Sequence, residues 1–119
     1  MSENKMHGQI QIADEVVGVI AVTAALEVEG VVAGSHGKGI TEFFGKKGHT
    51  KCTKVVKDEN DAVVDMEIIV KFGTKVQKVA TEVQERVKST VETMTGLNVP
   101  VVNVSVSGVV KEEKAEEEE

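Results

Sequence analysis

Cys52 stands three residues after His49, in a stretch that also holds His36 and a run of glycines and lysines, "GSHGKGITEFFGKKGHTKC". Four chemistries are worth testing on those spacings. A phosphate loop of the Walker type needs two glycines five positions apart, followed by Lys and Ser/Thr. Here the fifth position beyond Gly39 is Phe44, and Lys46 is followed by Lys47 rather than a hydroxyl. A dinucleotide loop fails at Glu42, where Gly37-Lys38-Gly39 would need its third glycine. A structural zinc site usually takes four ligands in two close pairs. This stretch offers one mixed pair, His49 and Cys52, with His36 a third candidate and His7 remote. For thiol catalysis, residues three apart on a strand point to opposite faces, and no third orienting group follows. The stretch therefore predicts no catalytic, metal-binding or cofactor-binding residue.

What remains is a contact surface. Ile40, Phe43 and Phe44 fall at i, i+3 and i+4 and would cluster on one helical turn, with Lys38 before them and Lys46 and Lys47 after. Those six residues are the expected partner-binding set. The charge supports this: between residues 34 and 57 six lysines face Glu42 alone, whereas the chain as a whole carries −6 and ends in "KEEKAEEEE". A basic middle could instead attract nucleic acid, and residues 34–57 as a nucleic-acid-binding module is the alternative reading. Against it, the chain has three Phe, no Tyr and no Trp, and its one arginine is Arg86. Base stacking uses aromatic residues and base reading favours arginine.

The surrounding elements must position this segment. "GQIQIA" alternates and predicts a short strand. Asp14 then reads as a helix N-cap, and Val16, Val19, Ile20, Thr23, Ala24 and Val28 recur at helical spacing up to a left-handed cap at Gly30. "VVAGS" is a short candidate strand. Lys51–Lys57 and "AVVDMEIIVKF" predict a hairpin around the "DEND" turn. In its second strand Val64, Met66, Ile68, Val70 and Phe72 face one way, and Val63, Asp65, Glu67, Ile69 and Lys71 the other. The carboxylates Asp65 and Glu67 read as a solvated sheet face rather than an acid pair. Thr74 to Gln77 has capping-box spacing. Val76, Val79, Ala80, Val83, Val87, Val91 and Met94 make one apolar stripe ending at Gly96, with Leu97 packing back on the last turn as in a Schellman motif. "VVNVSVSGVV" closes the chain with a strand presenting Val102, Val104 and Val106 on one face.

The expectation is an α+β two-layer sandwich in β-α-β-β-β-α-β order, with two helices on one face of a mixed or antiparallel sheet and the other face wet. Residues 1–7 read as disordered, 8–110 as one domain with a flexible basic loop at 34–50, and 111–119 as a disordered acidic tail. A single cysteine and a polar N-terminus fit a cytoplasmic location. The apolar run Val16–Leu26 is too short to span a bilayer, which needs about 20 residues.

"EVEGV", "FGTKV", "EVQERVKSTVE", "MTGL" and "VNVSVSGV" resemble the alkaline-shock or envelope stress response family of Gram-positive bacteria, over nearly all of Gly8 to Val110. The resemblance implies a non-enzymatic stress-response protein with no small-molecule substrate. It implies a self-associating peripheral scaffold at the inner face of the membrane, held by a membrane-anchored protein partner and supporting envelope homeostasis. It brings no catalytic residues to this chain.

Overall fold

A computed structural model describes residues 8–32 and 50–111. Their elements, in chain order, are helix α1 (Asp14–Leu26), strands β1 (Lys51–Asp58) and β2 (Asp61–Lys71), helix α2 (Val76–Thr95) and strand β3 (Asn98–Val110). The sheet order is β1-β2-β3, antiparallel between β1 and β2 and parallel between β2 and β3. The expected α+β sandwich with a mixed sheet is therefore present. Two adjacent antiparallel strands need only a tight turn, here Glu59-Asn60 with Glu59 in the left-handed region. The parallel pair needs a crossover, and α2 supplies it.

One face of the sheet carries the core. Val64, Met66, Ile68 and Val70 of β2 alternate inward and meet Val99 and Val102 of β3 and Val79, Val83, Val87 and Val91 of α2. From α1 come Val17, Ala21, Ala24 and Ala25. The alanines are small, so α1 sits close over the valine-rich sheet. The opposite face of the sheet is wet and polar: Asn103 Nδ2 donates to Asp65 Oδ1 at 2.8 Å, and Asn98 Nδ2 to Asp61 Oδ1 at 3.1 Å.

The structure corrects several sequence expectations. "GQIQIA" forms no strand: the chain turns into α1 at Asp14 before it can find a partner strand, and Ile12 packs on the core while Ile10 is exposed. Asp14 is the first helical residue rather than the cap. The cap position is Ala13, with no side-chain bond. The buried face of α1 is rotated from the expected stripe, so that Val16 and Val19 are exposed and Val17 and Ala21 are buried. The helix ends at Glu27, before Gly30, whose φ of 102° instead serves the turn that follows. Thr74 makes no capping box; its hydroxyl donates to the Lys71 carbonyl, and α2 starts at Val76. Val76 and Met94 lie outside the buried part of the α2 stripe, and Phe72, beyond the end of β2, is 68% exposed.

Gly96 does end α2 in the left-handed conformation, its N–H donating to the Glu92 carbonyl at 2.9 Å. Leu97 packs against the core as expected. That single Gly96 bond is the αL cap rather than the expected Schellman pair, because the Leu97 N–H donates instead to the Thr95 hydroxyl, which itself donates to the Val91 carbonyl. In "VVAGS", Val31 bridges Val70 in antiparallel sense and the Val32 N–H donates to the Ile69 carbonyl, while residues 33–35 lie outside the described residues.

Candidate interaction surface

Val31–Val32 and β1 lie along the same side of β2 and run in the same direction. Val32 and Thr50 bound residues 33–49, which lie outside the described residues. The Thr50 hydroxyl fastens the two ends: it donates to the Val32 carbonyl at 3.2 Å and accepts from the Ile69 N–H at 3.2 Å. Thr50 is buried, as a hydroxyl with both partners met can be. Val32 and Thr50 are thus the two feet, held at one sheet edge, between which the basic stretch falls in the sequence. The six expected contact residues, Lys38, Ile40, Phe43, Phe44, Lys46 and Lys47, lie within it and outside the described residues. The three histidines also lie outside the described residues.

Beside the foot at Thr50 opens a groove of about 630 Å³ between α1 and the edge strand β1. Its helical wall is a stripe at helix spacing: Glu15, Gly18, Val19 and Val22. Its floor is Cys52 and Val55 of β1. Gly18 keeps it open, since a Cβ there would stand 3.6 Å from the Cβ and Sγ of Cys52. Asp14 and Glu15 stand at its rim at the start of the helix, while Lys51 and Lys54 border it from β1 with their register partners Glu67 and Asp65 on the open sheet face. Lys57 ties the helix start to the strand, pairing with Asp14 at 3.3 Å and donating to the Ile12 carbonyl.

A bulge at Thr53 sets the lysine positions. The pairs Cys52↔Met66 and Lys54↔Asp65 leave Thr53 as an extra residue, its hydroxyl donating to the Asp65 carbonyl. Lys51 and Lys54, three apart, therefore stand on the same face, opposite Glu67 and Asp65. Sequence spacing alone places them on opposite faces.

The chemistry of this region is quiet. Cys52 is half-buried, and burial pushes its thiol above the ordinary value, away from the reactive thiolate. Asp65 is engaged by Asn103, and Glu67 approaches Lys51 at 3.9 Å. Among the described residues no three His, Cys, Asp or Glu side chains are grouped as metal ligands. Phe72, the one aromatic among the described residues, lies off the open sheet face with Lys111 5.8 Å from its ring centre.

Sequence reasoning missed the polar ladder on α2. Gln84, Lys88 and Glu92, at successive i+4 positions, reach the backbone of β3: Gln84 Nε2 donates to the Val102 carbonyl, Lys88 Nζ to the Val99 carbonyl, and Glu92 Oε2 accepts from the Val99 N–H at 2.9 Å. The i+4 spacing on the polar face of an amphipathic helix was the available signal. The Val99 N–H and Lys88 hold the Glu92 carboxyl below its ordinary value.

The described residues thus form a small α+β sandwich with a polar open face and a groove between α1 and β1. The sequence model of the alkaline shock protein family, described as having a cell envelope-related function, matches residues 2–111, and the chain belongs to that family. It is 38% identical over 112 residues to the uncharacterized protein YqhY of Bacillus subtilis (strain 168), covering 92% of this chain and 83% of that protein. It is 37% identical over 107 residues to the uncharacterized protein YloU of the same organism, covering 87% and 89%. A third relative, the uncharacterized protein Spy1614 of Streptococcus pyogenes serotype M6, is 29% identical over 110 residues, covering 89% and 91%. No solved structure matches.

Proposed function

We propose that this chain is a non-enzymatic stress-response protein that self-associates as a peripheral scaffold at the cytoplasmic face of the membrane and supports envelope homeostasis. The cell envelope-related function of the family gives the setting. The observation that carries the scaffold reading is α1: its sequence DEVVGVIAVTAAL is apolar nearly all round, yet Val16 and Val19 are 48% and 64% exposed. A helix apolar on every side is normally covered on every side. Among the described residues no helix is long and apolar enough to cross a membrane. The reading therefore takes a membrane-anchored protein as the attachment, contacted through Lys38, Ile40, Phe43, Phe44, Lys46 and Lys47.

Cell fractionation with and without cross-linking, followed by identification of co-purifying proteins, tests this. The expected result is a membrane-associated, cross-linkable pool containing a membrane-anchored protein. A wholly soluble, monomeric protein at cellular concentration overturns it.

A further inference from the structure

We infer that the outer edge of β3 around Ser105 pairs antiparallel with the same stretch of a second copy, about a two-fold axis at Ser105. The inference rests on the scaffold reading and assigns one of its contacts. The direction of the backbone groups follows from β2. The Asp65 carbonyl accepts from Thr53, and the Ile69 N–H and carbonyl meet Thr50 and Val32, so these residues point toward the β1 side. Met66 and Ile68, of the opposite parity, point toward β3. In a parallel pair the register partners of such residues turn their own groups away from the sheet. Those partners are Val104 and Val106. Their N–H and C=O groups therefore lie on the outer edge of β3, where no described residue bonds to them.

This bare stretch has defined ends. Before it, Gln84 fills the outward Val102 carbonyl, and Lys88 and Glu92 hold Val99. After it, Ser107 is an extra residue between Val106 and Gly108, a bulge that breaks the run. The outward groups of Val104 and Val106 match each other across a two-fold. Val104 of each copy faces Val106 of the other and exchanges both N–H···O=C bonds with it. Ser105 then faces its own copy as a non-hydrogen-bonded pair. A two-fold centred on Val104 would need the Val102 carbonyl, which Gln84 holds, and one centred on Val106 would meet the bulge.

Charge and chain path select the occupant. Exposed edges are normally guarded by lysines, proline or a bulge. The edge strand β1 has Lys51, Lys54 and Lys57 and a bulge at Thr53, so its copies would repel. β3 has no charged residue from Asn98 to Val110, and its proline, Pro100, precedes the bare stretch. Two copies meet there without repulsion. The undescribed residues of the same chain adjoin other places. Residues 33–49 are bounded by Val32 and Thr50, on the far side of β2, and residues 1–7 precede α1, whose start Lys57 ties to β1. Residues 112–119, "EEKAEEEE", are poor strand formers. The ladder is short and falls below the roughly 1,200 Å² of stable assemblies, so the association is weak and concentration-dependent.

The full chain tests this. Ser105→Cys on a Cys52→Ala background should form a disulfide-linked dimer on mild oxidation, because the Cα atoms of a non-hydrogen-bonded pair stand about 4.5 Å apart. Asn103→Cys on the same background should not, since its two copies would be offset by about 13 Å along the strands. In sedimentation over a concentration series, Val104→Pro should associate at least about 10-fold more weakly than the unaltered chain, by loss of its N–H on each side of the two-fold. That N–H lies on the free edge, so the β2–β3 ladder keeps its bonds; the cysteine arm stands even if this variant fails to fold. Association unchanged by Val104→Pro, or Ser105→Cys linking no faster than Asn103→Cys, overturns the edge assignment and leaves the scaffold reading intact. Loss of a co-purifying protein from Val104→Pro with self-association unchanged places a foreign strand on the edge and also overturns the assignment. A chain that is monomeric at every concentration overturns both readings.

Discussion

Thr50 and Val32 are eighteen positions apart and joined by one hydrogen bond, from the Thr50 hydroxyl to the Val32 carbonyl at 3.2 Å. With the bond Thr50 accepts from Ile69 N–H, it holds Val32 and Thr50 together at the sheet edge on either side of residues 33–49. Thr50→Val keeps the shape and removes the hydroxyl, leaving a buried N–H and a carbonyl short of a partner. The expected cost is about 1–3 kcal/mol, read as a lower melting temperature. Thr50→Ser should restore most of it.

Met66 and Met94 are the same residue type in opposite settings. Met66 is fully buried between the sheet and the helices, and Met94 is 65% exposed at the end of α2. Met66→Ala should cost about 2–5 kcal/mol in denaturant unfolding. Met94→Ala should stay within about 0.5 kcal/mol. Equal effects would show that the end of α2 is covered by something the described residues do not include.

Gly30 and Gly96 both have positive φ, but only Gly30 is crowded. A Cβ at Gly30 would lie 2.9 Å from Cγ2 of Val79, whereas nothing lies within 4 Å at Gly96. Gly96→Ala should cost the left-handed strain alone, about 1–2 kcal/mol. Gly30→Ala adds a clash with a buried α2 residue and should cost more, measured by the same unfolding experiment.

Glu92 predicts a pH dependence. Its folded carboxyl titrates below its unfolded value, first because of the Val99 N–H and then because of Lys88. The stabilisation is thus fully present above the unfolded carboxylate value and is lost as pH falls through the folded one. Melting temperature measured down through the acid range should fall less steeply for Glu92→Gln than for the unaltered chain. Identical slopes would sink the assignment.

The legibility of this fold follows amphipathicity. In α2 the apolar and charged residues segregate, so the spacing of Val79, Val83, Val87 and Val91 determined which face is buried. In α1 almost every residue is apolar, so the helix was readable but its rotation was not, and Val16 and Val19 were placed inward although Val17 and Ala21 take that position. The alternation of Ile10 and Ile12 promised a strand, but a strand exists only with a neighbour, and alternation cannot report whether one is in reach. The hairpin succeeded because strands and turn signal are contiguous. At the interaction surface the spacings turned attention to contact. The groove escaped notice because it joins residues 15–22 to 50–55, and the Thr53 bulge that aligns Lys51 with Lys54 leaves no mark in the sequence.

The central position of β2 has a consequence for synthesis. Its partner on one side is made just before it, so the hairpin can close as soon as the chain emerges. Its other partner, β3, is made last, after the whole of α2. Until Asn98–Val110 arrives, a nascent chain holds a hairpin with one bare edge and a valine face only partly roofed. Such an edge is open to any passing strand, so a ribosome pausing within α2 would expose the most adhesive form of this protein.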